Sequence, residues 1–365
     1  MKIEEFELEL LVRPLLVWFS SHARILPWRE DPSPYRVWVS EIMLQQTRVE
    51  AVKPYFERFV ETLPDVKALA DCEEEKLLKL WEGLGYYNRA RNLKTAAKQV
   101  MEDYGGRIPS ECEALLKLKG IGHYTAGAIA SIAYGKPVPA VDGNALRVLS
   151  RVTGDDSDIA KQSVRSNMET VLAQVIPKDR AKAFNQALME LGATVCLPNG
   201  EPKCGECPWK GLCVAKAENQ TKRLPVKSRP KKRKIEKRTV FLIRDGEKVI
   251  LRKRPQEGLL AGMYEFPNTL GSFTSEEALS FVKQMNLTPL RVEPLDAAKH
   301  IFSHVEWQMK GYLVRVEALE EGESDLLFAE AADFKENYPM PSAFAAYAKY
   351  LNICHGKNRF GEGQE

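Results

Sequence analysis

The sequence predicts a protein in two parts, an all-α region followed by a smaller α+β region. Apolar residues recur at helical spacing through the first 221 residues. Runs rich in Val, Ile and aromatics with strand character come only after residue 238. Between the two, residues 222–238 hold ten Lys or Arg against one acid, Glu236. At 365 residues, 44% hydrophobic and 28% charged, the chain can bury separate cores and has a globular rather than a disordered or fibrous composition.

In the first region, 1–221, the helical pattern occupies Leu8–Phe19, Val37–Thr47, Leu77–Trp81, Leu93–Val100, Leu115–Leu118, Ala126–Ile132, Ala145–Val152, Val164–Val175 and Ala183–Val195. Gly and Pro punctuate it at Pro64, Gly83-Leu84-Gly85, Gly105-Gly106, Pro109, Gly120, Gly122 and Pro137. The basic stretch 222–238 carries Pro225 and Pro230 and no apolar periodicity, so it is expected to be a linker. Its local balance of +9 sits inside a formal net charge of only +3, so the other residues sum to about −6. That charge also suits a connector lying along an anionic backbone. In the second region, 239–350, strands are expected at Thr239–Ile243, Lys248–Arg252 and Gln308–Val316, and helices at Glu276–Met285 and Pro341–Leu351. Residues 351–365 read as a polar tail. No repeat has a fixed period, and no uncharged apolar run is long enough to span a bilayer. The acid-bearing start MKIEEFELEL is unlike a signal peptide, which leads us to expect a cytoplasmic protein with no membrane partner.

Four of the seven cysteines crowd the loop 196–213: Cys196, Cys204, Cys207 and Cys213, spaced C-x7-C-x2-C-x5-C. A polar, Pro- and Gly-rich loop is no place for four core thiols, and one compact metal centre accounts for them. Nothing indicates an oxidising compartment, which argues against two disulfides. Four thiolates suit zinc. Unequal gaps around one C-x2-C pair suit an iron–sulfur cube equally well, so spacing alone leaves both open. Upstream, residues 115–132 (LLKLKGIGHYTAGAIASI) read as a helical hairpin turning at Gly120-Ile121-Gly122. Two glycines would let backbone N–H groups and a new helix N-terminus approach a phosphate. Asp142, in Val141-Asp142-Gly143-Asn144, is in position to cap the following helix.

The hairpin, the V-D-G-N segment and the four cysteines, in that order, resemble the endonuclease III superfamily of helix-hairpin-helix DNA glycosylases. Leu26-Pro27-Trp28-Arg29, Glu41 within SEIMLQQT, Gly83-Leu84-Gly85-Tyr86-Tyr87 and Phe184-Asn185-Gln186-Ala187-Leu188 narrow the resemblance to the MutY-type adenine DNA glycosylases. These remove adenine mispaired with 8-oxoguanine or guanine in double-stranded DNA. Relatives that also cleave the strand carry a lysine directly before T-A of the hairpin. Here that residue is Tyr124, which cannot form an imine, so the resemblance implies a monofunctional enzyme.

The same resemblance implies roles for individual residues. Glu41, a carboxyl in apolar sequence surroundings, would protonate the adenine, and Asp142 would stabilise the oxocarbenium ion, with Asn144 and Tyr124 orienting them. Arg24, Trp28 and Gln186 would line the adenine pocket, and Gln46 and Tyr86 would be the wedge. A 4Fe–4S cluster on the four cysteines is implied, with zinc the lesser alternative, although the first gap is seven residues where the family's is usually six. Residues 239–350 resemble the family's Nudix-like domain through Leu259-Leu260-Ala261-Gly262-Met263-Tyr264-Glu265-Phe266-Pro267. Between Gly262 and Leu287 the acids are only Glu265, Glu276 and Glu277, without the spacing that holds metal at a pyrophosphate, which argues against a nucleotide hydrolase. Phe302-Ser303-His304 matches the family's loop for the oxidised guanine. The expected protein is thus a helix-hairpin-helix glycosylase domain with a cluster loop followed by an α+β Nudix-like domain, acting as a monomer on duplex DNA. A binding protein that kept this scaffold without catalysis is the rival reading, and it predicts no base release.

Overall fold

The structure, a computed structural model, describes residues 3–228, 232–317, 326–330, 333 and 337–351. The tail beyond Leu351 and residues 229–231 of the basic stretch lie outside the described residues. The chain divides into two compact units, one of Met1–Asp71 with Arg91–Arg229 and one of Cys72–Ala90 with Pro230–Glu365.

The described part of the first unit is helical. Glu9–His22, Gly143–Thr153, Gln162–Val175 and Ala181–Thr194 pack their apolar stripes into one core around Leu15, Leu146, Leu149, Met168, Phe184 and Leu191. Pro34–Leu44 starts on a Ser33 cap, whose hydroxyl accepts from the Arg36 N–H, and buries nearly every residue from Val37 to Met43. Val49–Thr62 is a helix that the sequence does not announce. Pro54 lies inside it, yet Val52, Tyr55, Phe56 and Phe59 bury one face, and that burial outweighs the missing backbone bond. The expected hairpin keeps only a short first helix, Cys112–Leu115, and turns to Lys119 before Gly120. Its second helix, His123–Ala128, widens into a π-helical turn at Ile129–Ala133.

In the second unit a mixed sheet runs in the order β3-β2-β1-β6-β5, with β4 beside β1 and β7 beside β2. Its strands are β1 (Lys234–Asp245), β2 (Lys248–Lys253), β3 (Tyr264–Glu265), β4 (Asn268–Leu270), β5 (Pro289–Ile301), β6 (Val305–Val316) and β7 (Leu326–Glu330). The period-two alternation of β1 divides its side chains between two cores. Val240 and Leu242 join Trp307, Met309, Phe344 and Tyr347 on one face. Phe241 and Ile243 join Ala278, Val282, Tyr312 and Val314 on the other, under the helix Ser275–Gln284. β5 went unread in the sequence because Pro289 and Pro294 interrupt it. It is the edge strand of the order, where prolines and register shifts are tolerated.

The stretch 222–238 is not a linker throughout. Leu224 is buried, the Ile159 N–H donates to the Val226 carbonyl at 3.0 Å, and Lys234–Arg238 open β1 in parallel register with Val305–Met309. Backbone pairing with β6 needs no apolar side chains, so charge composition could not reveal it. Among the described residues no helix is long and apolar enough to cross a membrane.

Candidate active site

One cavity of about 1180 Å3 in the helical unit is lined by Arg24, Trp28, Glu41, Gln46, Tyr124, Asp142, Asn144 and Gln186. Eight residues singled out across 163 positions of sequence therefore converge. Glu41 is carried there by Pro34–Leu44 and is 6% exposed. The Tyr124 hydroxyl, in the first turn of His123–Ala128, donates to Glu41 Oε2. Burial raises the Glu41 carboxyl to about 7; the Tyr124 hydrogen bond opposes this, Asp142 adds to it and Arg29 opposes it. Burial likewise raises the Tyr124 hydroxyl well above its ordinary value, with the charges of Glu41 and Asp142 adding to it.

Asp142 serves two purposes at once. Its Oδ1 accepts the Ala145 N–H at 2.7 Å as the N-cap of Gly143–Thr153, and its Oδ2 accepts Asn144 Nδ2 at 2.8 Å. Burial raises this carboxyl, and the bonds from Ala145 and Asn144 and the charge of Arg147 restrain the rise. Capping thus leaves the aspartate fixed by two donors while it still lines the cavity. Asn144 is held in turn by Arg147, whose Nη2 donates to Asn144 Oδ1 and to the Gly192 carbonyl, both at 2.9 Å.

Supporting roles that sequence reading did not assign belong to residues of Ala181–Thr194. Glu190 is fully buried and pairs with Arg24 at 2.6 Å and with Arg29 at 2.8 Å. Burial alone would raise its carboxyl, but the two guanidinium groups win and hold it below the usual range. Asn185, also fully buried, donates to Ser131 Oγ and the Val138 carbonyl and accepts from the Ala140 N–H. It pins the loop leading to Asp142 against the π-helical turn. The signal was present as polar residues inside an apolar helical pattern, F-N-Q-A-L-M-E-L-G, but their partners are 45 to 166 positions away.

Gln46 and Tyr86 both have left-handed backbone, with φ of 59° and 50°, which costs a non-glycine residue ~1 kcal/mol or more. Gln46 lines the cavity; Tyr86 belongs to the other unit, where it is half exposed. Of the hairpin glycines, Gly120 (φ 79°) is sterically required, since a Cβ there would lie 2.7 Å from Asn92 Cβ. Gly122 caps the next helix in open space. Phe302-Ser303-His304 form the turn joining β5 to β6, with Phe302 packed edge-on against Trp307 at 4.8 Å and Ser303 and His304 exposed. Two of the three acids of the Nudix-like segment are engaged elsewhere: Glu265 is buried between Arg252 and Arg254, and Glu277 closes a capping box with Thr274.

The four loop cysteines line one small cavity with Arg151, Lys210 and Lys216, and none is in a disulfide. Arg151 Nη1 donates to Cys196 Sγ at 3.3 Å, and Trp209 Nε1 ties the loop to the Leu11 carbonyl at 2.9 Å. Among the described residues no three His, Cys, Asp or Glu side chains gather around one ion-sized point. Four soft thiolates can hold either a zinc ion or an iron–sulfur group. Within the seven-residue first gap, Asn199 and Gly200 are both exposed, with Gly200 at φ 77° in open space.

Residues 39–174 match the HhH-GPD superfamily of base excision DNA repair proteins, and residues 239–350 match the NUDIX domain. An adenine DNA glycosylase of Mus musculus is 34% identical over 356 residues, spanning 82% of this chain and 69% of that one. One from Buchnera aphidicola (strain APS) is 32% identical over 308 residues, spanning 84% and 87%. The chain belongs to the MutY-type adenine DNA glycosylases. As a member of these adenine DNA glycosylases it is a hydrolase of N-glycosyl bonds. A thermostable thymine-DNA glycosylase structure shares 29% identity at a TM-score of 0.52, covering 57% of this chain and 96% of its own. A trapped endonuclease III–DNA intermediate shares the helical fold at 24% identity and a TM-score of 0.51, covering 60% and 99%.

Proposed function

We propose that this glycosylase excises adenine mispaired with 8-oxoguanine or guanine in duplex DNA, as a monomer and without strand cleavage. The observation that carries the reading is a pair of carboxyls, the buried Glu41 and the partly buried Asp142, lining one cavity with Tyr124 against Glu41. At neutral pH a carboxyl poised near 7 can hold a proton and give it to N7 of an extruded adenine. The C1′–N9 bond then breaks with its electron pair leaving on the protonated base. Asp142, kept in place by Ala145 and Asn144, stabilises the sugar cation until water adds at C1′. Tyr124 stands where a lyase would need an amine, which supports the monofunctional reading.

Arg24, Trp28 and Gln186 are assigned to the adenine pocket, with Glu190 holding Arg24 in place. Gln46 and Tyr86 are assigned as wedges, and their strained backbone supports a role outside plain packing. Gly120 and Gly122 are assigned to backbone phosphate contact, and Phe302, Ser303 and His304 to the oxidised guanine. Cys196, Cys204, Cys207 and Cys213 would hold a 4Fe–4S cluster, which supplies a covalent anchor for the loop and one-electron redox capacity. A brown preparation with about four irons per chain is expected; colourless protein with one zinc would overturn that assignment. The deciding assay is adenine release from duplexes carrying adenine opposite 8-oxoguanine, guanine or thymine. Release opposite the first two and an intact strand after neutral work-up are expected. Binding without release would establish the non-catalytic alternative.

A further inference from the structure

Residues 72–90, which carry the wedge candidate Tyr86, pack in one unit with the sheet that carries Phe302-Ser303-His304. The fastening is specific. Glu82, only 6% exposed, accepts the Met340 N–H at 3.0 Å through Oε1 and pairs with Lys79 at 3.0 Å through Oε2. Lys79 Nζ in turn donates to the Tyr338 carbonyl at 3.2 Å. The intervening Pro339 carbonyl accepts the Tyr264 N–H of β3 at 3.0 Å, so residues 338–340 are part of the sheet's framework. Nearer the start of this segment, Glu75 Oε1 accepts from Lys253 Nζ of β2 at 2.6 Å and from the Tyr264 hydroxyl at 2.9 Å.

The loop after Glu82 is held rigid from within. Trp81 Nε1 donates to the Gly85 carbonyl at 3.2 Å, and Arg89 Nη2 donates to the Leu84 and Gly85 carbonyls, both at 3.1 Å. The Arg89 guanidinium also lies 5.5 Å from the centre of the Tyr86 ring. At the tip Ser303 Oγ donates to the Tyr86 hydroxyl at 3.4 Å. A buried carboxylate is costly unless its partners hold it well, and none of the chemistry at Glu41 or Asp142 uses this one.

We propose that Glu82 is a positioning residue for recognition of the base opposite adenine. It locks the Gly83–Tyr87 loop to the sheet, so that Tyr86 and Ser303 meet the duplex in one fixed register. The inference rests on the assignments of Tyr86 and Phe302–His304 made above. Discrimination between 8-oxoguanine and guanine then depends on a residue that contacts neither base.

The test uses the full chain, with equilibrium binding and single-turnover adenine release on duplexes carrying adenine opposite 8-oxoguanine or guanine. Glu82→Ala is expected to lower the binding preference for the 8-oxoguanine duplex at least tenfold, with the smaller effect on the limiting rate of release. Glu82→Gln, which keeps an oxygen for the Met340 N–H, should recover part of that preference; a merely structural loss would not follow this order. Amides of Gly83–Tyr87 should exchange hydrogen faster in Glu82→Ala while those of His123–Ala128 keep their protection. Glu75→Ala, at a half-exposed site, carries the same test if Glu82→Ala does not fold, with a smaller loss expected. Wild-type preference in folded Glu82→Ala, or in Glu75→Ala where Glu82→Ala does not fold, would overturn the inference. A wild-type chain that releases no adenine would instead overturn the functional reading beneath it.

Discussion

Glu41 holds its proton to a higher pH than an ordinary carboxyl, up to about 7, because burial disfavours its charge more than Tyr124 and Arg29 favour it. That balance sets how the reaction responds to pH and to substitution. Adenine release should fall about tenfold per unit as pH rises above about 7, provided the proton donor is Glu41. Glu41→Gln and Asp142→Asn should each slow single-turnover release about 100-fold or more while the protein stays folded. Stability also falls as pH rises, over a lower window. Between the ordinary 4.5 and about 7 the native protein holds a proton that the unfolded chain has released. Stability is therefore greatest below 4.5 on this account, falls through that window, and stays reduced above it. Glu41→Gln cannot ionise, so at pH 8 it should unfold at higher denaturant than wild type, by up to about 3 kcal/mol. Greater stability with lost activity would separate a catalytic carboxyl from a structural one.

Ala181–Thr194 organises the site without supplying its chemistry. Gly192 on this helix admits Asn144, since a Cβ there would lie 2.5 Å from Asn144 Cβ. Gly192→Ala should therefore displace Asn144, loosen Asp142 and cut adenine release at least tenfold in the single-turnover assay. Asn185→Ala leaves the Ala140 N–H and the Val138 carbonyl without their buried partner and should cost about 2–4 kcal/mol in chemical denaturation. Neither effect was legible in the sequence, because each is a contact between segments some 45 residues apart. Legibility followed periodicity and local motif. Gly143–Thr153 was readable from its apolar spacing and Asp142 cap, and Lys248–Lys253 from its β-branched run. Val49–Thr62 was hidden by Pro54, and Pro289–Ile301 by two prolines tolerated at a sheet edge. At the site, the types and order of Glu41, Tyr124, Asp142 and the cysteines were readable. Glu190 was not, because its role is set by Arg24 and Arg29, far away in sequence.

Across the whole molecule, charge is distributed so that the net +3 conceals its parts. Lys222 and Lys227, from the start of the basic stretch, line the same cavity as Glu41 and Asp142. Neutralising both with Gln should reduce the salt slope of duplex binding by roughly 0.9 for each phosphate that is no longer neutralised, measured by anisotropy from low to physiological salt. An unchanged slope would show that Lys222 and Lys227 make no phosphate contact.

The central pairing of the sheet also sets an order of events during synthesis. β1 hydrogen-bonds in parallel to β6, some 70 residues downstream, and Glu82 reaches Met340, 258 positions later. Such distant closures form slowly and cannot begin until the later partner has left the ribosome. Residues 72–90 are translated early, with Leu77 and Leu78 destined for complete burial, and wait for most of translation before their supporting strands exist. A nascent chain stalled before residue 305 should therefore expose that segment to protease and recruit holdase chaperones there. Premature termination near the C-terminus would then leave the tyrosine loop unsupported even though every residue of the excision chemistry had already been made.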